Sequence, residues 1–137
     1  MARGHGGSRR AAKEVAGMIE VAMERETLAT EPARFAPPYS IRGYEPGDAA
    51  TWLSLHEATG IYPPLDAAFY ERQFSSPREG RQFFVLCGDG PVATGTAWHG
   101  EPLRTPDWGR LHWIAVHPRH QRRGLGLMLC QHLLVAL

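Results

Sequence analysis

The sequence predicts a fold of the α/β (α+β) class whose elements run β-α-α-β-β-β-α, and three stretches carry that expectation. Residues 82–87 and 91–99 are two apolar runs on either side of Gly88, Asp89 and Gly90, the pattern of a β-hairpin with a tight turn. Residues 111–116 form a short run of aromatic and β-branched residues that reads as a buried strand, stopped by His117 and Pro118. From Leu125 onward the chain is a long apolar run of good helix formers, entered through a basic, glycine-containing turn.

The chain has 137 residues and a formal charge of +1, which suits one soluble domain with its own core. Binding to a phosphate backbone usually shows as a clearly basic domain or face, so nucleic acid is not an expected partner. Cys87 and Cys130 lie far apart without C-x-x-C spacing. Neither a disulfide framework nor a metal site is expected, and reduced, buried thiols are the simpler reading. No apolar run reaches the roughly 18 to 20 residues of a membrane span, and the N-terminus lacks an apolar signal core. The expected location is the cytoplasm, with no membrane partner.

In chain order, residues 1–10 are rich in Gly and Arg and offer little to bury. Residues 11–28 allow a weak helix, with Val15, Ile19 and Ala22 on one side and Gly17 interrupting it. Residues 1–38 are therefore expected to be a disordered or weakly helical extension. Met18 and Met23 are alternative start sites, because Lys13 and Glu14 can be encoded by a purine-rich run of the ribosome-binding kind. The domain proper spans residues 39–137. Residues 39–44 alternate as a strand, and Asp48 is the expected N-cap of a helix that runs to Thr59, with Trp52, Leu55 and His56 at helical spacing and Gly60 as its stop. Pro63 and Pro64 start a second helix, from about Leu65 to Phe74. In the hairpin, Ala93, Gly95 and Ala97 put small residues on one face, where a helix or ligand can come close.

The connection between the strand at 111–116 and the last helix carries the functional signal. Gly124 and Gly126 let a ligand approach the backbone, and the free N–H groups and positive dipole end of the helix face the same point. Arg119, Arg122 and Arg123 add positive charge there, which suits phosphate oxygens. No Lys followed by Ser or Thr comes after the glycines, so a P-loop is excluded; Leu129 stands where a dinucleotide fingerprint needs a small residue. The run Gln121, Arg122, Arg123, Gly124, Leu125, Gly126 instead resembles the acetyl-CoA signature of the GNAT superfamily of N-acetyltransferases, in which Gln or Arg, two residues, Gly, one residue, and Gly or Ala follow the fourth strand. Ala115, Val116, His117 and Pro118 match the sequence in which that strand often ends.

The resemblance covers about residues 39–137 and implies a GNAT-like mixed sheet. It also implies acetyl-CoA as acetyl donor, and transfer to a primary amine of a small molecule or peptide. The loop residues Gln121 to Gly126 would hold the pyrophosphate, and the backbone of Ile114, Ala115 and Val116 the pantetheine arm, with their side chains in the core. Relatives often carry a glutamate base near the start of the fourth strand, where this chain has Arg110, which cannot accept a proton. His112, two residues on and on the same strand face, is the candidate catalytic base; His99 and Glu57 are lesser candidates. His117 and His120 flank the loop. The usual fold continues through a further β-α-β-β portion that supplies a tyrosine acid. The chain ends at Leu137 inside an apolar helix, so a truncated product is expected, with self-association through the exposed sheet edge. The alternative reading is a catalytically inactive acyl-CoA-binding fragment or module.

Overall fold

The computed structural model describes residues 9–15, 18–24, 31, 33–74, 81–88, 90–99 and 109–137. Strands β1 (Arg9–Val15) and β2 (Met18–Glu24) pair antiparallel in a sheet of their own, with Arg9 opposite Glu24 and Val15 opposite Met18. This corrects the expectation of a disordered or weakly helical segment there. Ile19, Val21 and Met23 alternate with Glu20, Ala22 and Glu24, a period of two that suits a strand, and the β-branched Ile19 and Val21 are stiff in a helix. Residues 1–8 and 25–30 of the expected extension lie outside the described residues.

The remaining elements follow the expected order. They are β3 (Tyr39–Gly43), α1 (Asp48–Thr59), α2 (Ala67–Gln73), β4 (Gln82–Cys87), β5 (Gly90–His99), β6 (Gly109–Val116), a single 3₁₀ turn at Pro118–His120, and α3 (Leu125–Ala136). β3, β4, β5 and β6 form one sheet in that spatial order, and every ladder in it is antiparallel. β6 is therefore an edge strand.

The helix starts differ in detail from the sequence reading. Gly47, left-handed at φ 96°, occupies the N-cap of α1, and Asp48 is its first helical residue. The Asp48 carboxylate accepts from both terminal nitrogens of Arg42, at 2.7 and 3.0 Å, and from the Glu45 N–H at 2.7 Å. Burial alone would raise its pKa, but the Arg42 guanidinium and the Glu45 N–H outweigh it and hold the carboxyl below the usual range. This bidentate pair clamps β3 to α1. α2 starts later than expected, because Asp66 caps it by accepting from the Phe69 N–H at 2.7 Å.

Adjacent Phe84 and Val85 point to opposite faces of the sheet and belong to two separate cores. On one face, Val85, Val92, Ala93 and Ala97 pack with Leu125, Leu129 and Leu133 of α3. On the other, Phe84 packs with Trp52, Leu55, Tyr70 and Phe74 of α1 and the α2 region. The small residues of β5 admit α3: a Cβ on Gly95 would stand 2.8 Å from Cδ1 of Leu133 and 3.2 Å from Cδ2 of Leu129. α3 is apolar on more than one side, and Leu127 is 77% exposed on the side away from the sheet. No helix among the described residues is long and apolar enough to cross a membrane.

Candidate active site

β6 carries a defect at the point that matters chemically. Thr94 pairs with Ala115 and Thr96 with His112, so one β5 residue, Gly95, opposes two β6 residues, Trp113 and Ile114. This is a β-bulge, and Trp113 sits in it at φ 52°, in the left-handed region. A bulky residue there costs about 1 to 3 kcal/mol and persists only where its surroundings hold it. The bulge also breaks the alternation of faces. His112 and Trp113, although consecutive, both meet the α1/α2 side: His112 lies near Phe74, and Trp113 near Trp52, His56, Tyr62 and Phe69. Beyond the bulge, Ala115 is buried and Val116 returns to the α3 face, while Ile114 is 37% exposed. The side chain of Ile114 thus departs from the expected core position. The His117 N–H donates to the Val92 carbonyl at 2.8 Å, so by alternation the backbone groups of Val116 turn to the free edge.

The loop after β6 is tied down by its own residues. The Gln121 side-chain amide donates to the Val116 carbonyl at 3.0 Å, and the Arg119 N–H donates to Nδ1 of His117 at 3.2 Å. Arg123 donates to the Tyr39 hydroxyl at 3.0 Å, and that hydroxyl lies 3.0 Å from Nδ1 of His120. Burial, and after it the neighbouring Arg123, His117 and Arg119, hold His120 below its ordinary pKa. Arg119 and Arg122 make no side-chain hydrogen bond or ion pair among the described residues. Arg122 is left-handed at φ 64°, and among the described residues it and Trp113 are the non-glycine residues with positive φ.

Gly124 caps α3 at φ 79°, a conformation that favours glycine, and the first bond of the helix runs from the Met128 N–H to the Gly124 carbonyl. The N–H groups of Leu125, Gly126 and Leu127 therefore have no intrahelical acceptor. Gly126 has no positive φ, and a Cβ built on it would meet only Cγ2 of Val116, at 4.0 Å. Neither backbone angle nor packing calls for glycine at that position. What the missing side chain leaves is open space beside three free donors, a cradle suited to a bulky anion.

The titratable groups around the bulge are buried histidines. Burial, then the Arg110 charge, lowers His112 to about 4, and its Nε2 is enclosed without a protein partner. His56 was read from sequence only as part of a helix face; it is 1% exposed, with neither ring nitrogen hydrogen-bonded, and its ring centroid lies 4.2 Å from that of Trp52 and 5.5 Å from that of Trp113. Burial lowers it to about 4, partly offset by the backbone of Trp113. Arg110 and Glu57 are exposed. His99 ends β5, and its side chain lies outside what the structure describes. A groove of about 400 Å³ lies between α1 (Ala50, Thr51, Ser54, Leu55, Ala58), Pro91 and His117, away from His112. Among the described residues no three His, Cys, Asp or Glu side chains converge as metal ligands, and Cys87 and Cys130 are free thiols.

Residues 48–137 match the acetyltransferase (GNAT) family. The chain belongs to that family. Solved structures repeat the fold at low identity. One is a protein of Pyrococcus horikoshii described as an acetyltransferase, with TM-score 0.58 and 19% identity over 81% of this chain and 36% of its own. Another is a GCN5-related N-acetyltransferase of Sphaerobacter thermophilus, with TM-score 0.55 and 22% identity over 72% of this chain and 31% of its own. A third, a protein of Clostridium acetobutylicum described as an acetyltransferase and solved with acetyl-CoA, has TM-score 0.50 and 14% identity over 69% of this chain and 70% of its own. This GNAT chain thus spans about a third of the length of the first two. Among functionally curated proteins none matches it in sequence.

Proposed function

We propose that this GNAT chain provides the acetyl-CoA site and part of the acceptor face of an N-acetyltransferase that acts on a primary amine of a small molecule or peptide. The observation that supports this most is Gly126, whose missing side chain serves no need of the fold and leaves the free N–H groups of Leu125, Gly126 and Leu127 open to a pyrophosphate. Arg119, Arg122 and Arg123 stand beside it as cations. Gln121, bonded to the Val116 carbonyl, couples this loop to the strand. The backbone along Ile114, Ala115 and Val116 is the proposed track for a pantetheine arm, with the Val116 N–H, turned to the free edge, placed to donate to one of its amide carbonyls. The Clostridium relative solved with acetyl-CoA supports the same ligand.

Acetyl-CoA supplies an activated acetyl thioester. The task left to the chain is to align an amine, keep water away and move its proton. Trp113 and Tyr62 give the acceptor side an aromatic wall, and the bulge holds His112 on that side. His112 is neutral at pH 7 and so able to accept, whereas Arg110 is not. Its low basicity means that an imidazolium there is short-lived and the proton must pass onward.

The test is calorimetry with acetyl-CoA, followed by thiol release with a panel of amines. His112→Ala should cut turnover by roughly a hundredfold while leaving acetyl-CoA affinity unchanged; equal losses in both, or none in turnover, refute its role as base. The second reading, acyl-CoA binding without catalysis, draws on Arg110 and on the low basicity of His112, and tight binding without any thiol release would establish it. A cytoplasmic location and self-association along the free edge of β6 belong to the same proposal; sedimentation tests the association.

A further inference from the structure

One row of the sheet is polar in all three of its strands. Gln82 of β4 pairs with Thr96 of β5, which pairs with His112 of β6. All three therefore share the face covered by α1 and α2. Gln82 is 0% and Thr96 1% exposed, and each of the three carries a buried polar atom without a protein hydrogen-bond partner: Nε2 of Gln82, Oγ1 of Thr96 and Nε2 of His112. The Tyr70 hydroxyl donates to Oε1 of Gln82 at 2.7 Å, which turns the amide nitrogen of Gln82 away from Tyr70. Leaving one such group unpaired costs about 1 to 3 kcal/mol, and three in one register row would be a heavy burden on a small domain. Cross-strand neighbours stand close enough for one or two waters to reach all three, and a water is stable in the interior when it has two to four polar partners.

We propose that Gln82, Thr96 and His112 enclose internal water bonded to Nε2 of His112, and that this water holds His112 in the Nε2–H tautomer for a relay of the amine proton through Nδ1. The relay rests on the acetyltransferase reading above; the hydration of the row does not. In the step, the amine N–H bond breaks as the Nδ1–H bond of His112 forms, while the Nε2–H bond stays intact and donates to the water. The Nδ1–H bond then breaks as its proton goes to the thiolate released from the thioester, so the imidazole begins and ends neutral with its tautomer unchanged. Thr96 and Gln82 are positioning residues that hold the water.

Thr96→Val decides between a wet and a dry row. If the hydroxyl bonds water, its loss should lower the Tm of the 137-residue chain by about 4 °C or more, with Thr96→Ser staying near wild type. NMR should then show cross-peaks from the Gln82 amide protons to long-lived water in the wild type. If the row is dry, removing an unpaired hydroxyl leaves Tm unchanged or raises it and the cross-peaks are absent, which overturns the proposal. For the relay, Thr96→Val should slow amine acetylation tenfold or more at unchanged acetyl-CoA affinity, with Thr96→Ser restoring most of it. Unchanged turnover in Thr96→Val overturns the relay. A wild-type chain that acetylates no amine removes the relay together with the proposed reaction, while Tm and the water signals still report on the row itself.

Discussion

Lowering the pH from 7 to 5 should destabilise the domain, and His56 should account for most of the loss. Its imidazole is 1% exposed and held at about 4, against about 6.5 in an unfolded chain. Between those values the unfolded state binds a proton that the folded state refuses, so stability is full above the unfolded pKa and falls as the pH drops towards the folded one. At about 1.36 kcal/mol per pH unit, the roughly 1.5 units between 6.5 and 5 amount to about 2 kcal/mol for one histidine. His112, partly exposed, adds a smaller amount of the same sign, as does His132, which burial also lowers. Asp48 does not contribute in this window, because its carboxyl is held down and protonates only at lower pH. Urea unfolding at pH 7, 6 and 5 gives the measurement, with His56→Leu as the comparison. The variant should lose about 2 kcal/mol of the wild-type pH dependence; an identical slope in both proteins would refute the assignment of that dependence to a buried neutral His56.

Three further outcomes follow from packing and charge. Asp48→Asn leaves the Arg42 guanidinium without its bidentate partner and should cost about 2 to 3 kcal/mol, read by urea unfolding at pH 7; a loss below half a kilocalorie would show that the clamp is not needed. Gly95→Val forces side-chain atoms into Leu129 and Leu133 of α3 and should cost about 1 to 3 kcal/mol by overpacking, whereas the same change at half-buried Gly43, where a Cβ meets nothing within 4 Å, should have little effect on packing. Arg123→Met frees the Tyr39 hydroxyl from its contact with the loop after β6. It should weaken acetyl-CoA binding severalfold with Tm nearly unchanged, and unaltered affinity would remove Arg123 from the site.

Much of the fold was readable because its elements announce themselves through local chemistry. Gly60 closes α1 in the left-handed conformation at φ 65°, and the hairpin between β4 and β5 turns at Gly88, φ 61°, as the glycines in the sequence indicate. Residues 9–15 and 18–24 are strands although Val15, Ile19 and Ala22 fit a helical stripe as well as Ile19, Val21 and Met23 fit a strand, because only pairing between two segments decides. Asp48 looked like an N-cap, but the nearby Arg42 drew its carboxylate into an ion pair and left the cap to Gly47. The loop after β6 stands out in the sequence as a motif, since glycine spacing and arginines are written in consecutive residues, and its role as the acetyl-CoA site is the proposal made above. The bulge was not: nothing in an apolar run tells that Trp113 takes a positive φ, because the extra residue is defined by the register of the partner strand. The polar row had the same difficulty. Gln82, Thr96 and His112 are far apart in sequence, and only the sheet brings them side by side.

The open space at Gly126 is proposed to exist for the pyrophosphate of acetyl-CoA. Calorimetric titration of acetyl-CoA into the wild-type chain and into Gly126→Val, with circular dichroism and Tm measured on both, tests it most directly. A valine there meets no close protein neighbour at its Cβ and replaces a poor helix former, so the fold should be retained. The expected result is saturable binding by the wild type and a loss of tenfold or more in the variant at equal or higher Tm; equal affinity in two well-folded proteins would contradict the claim.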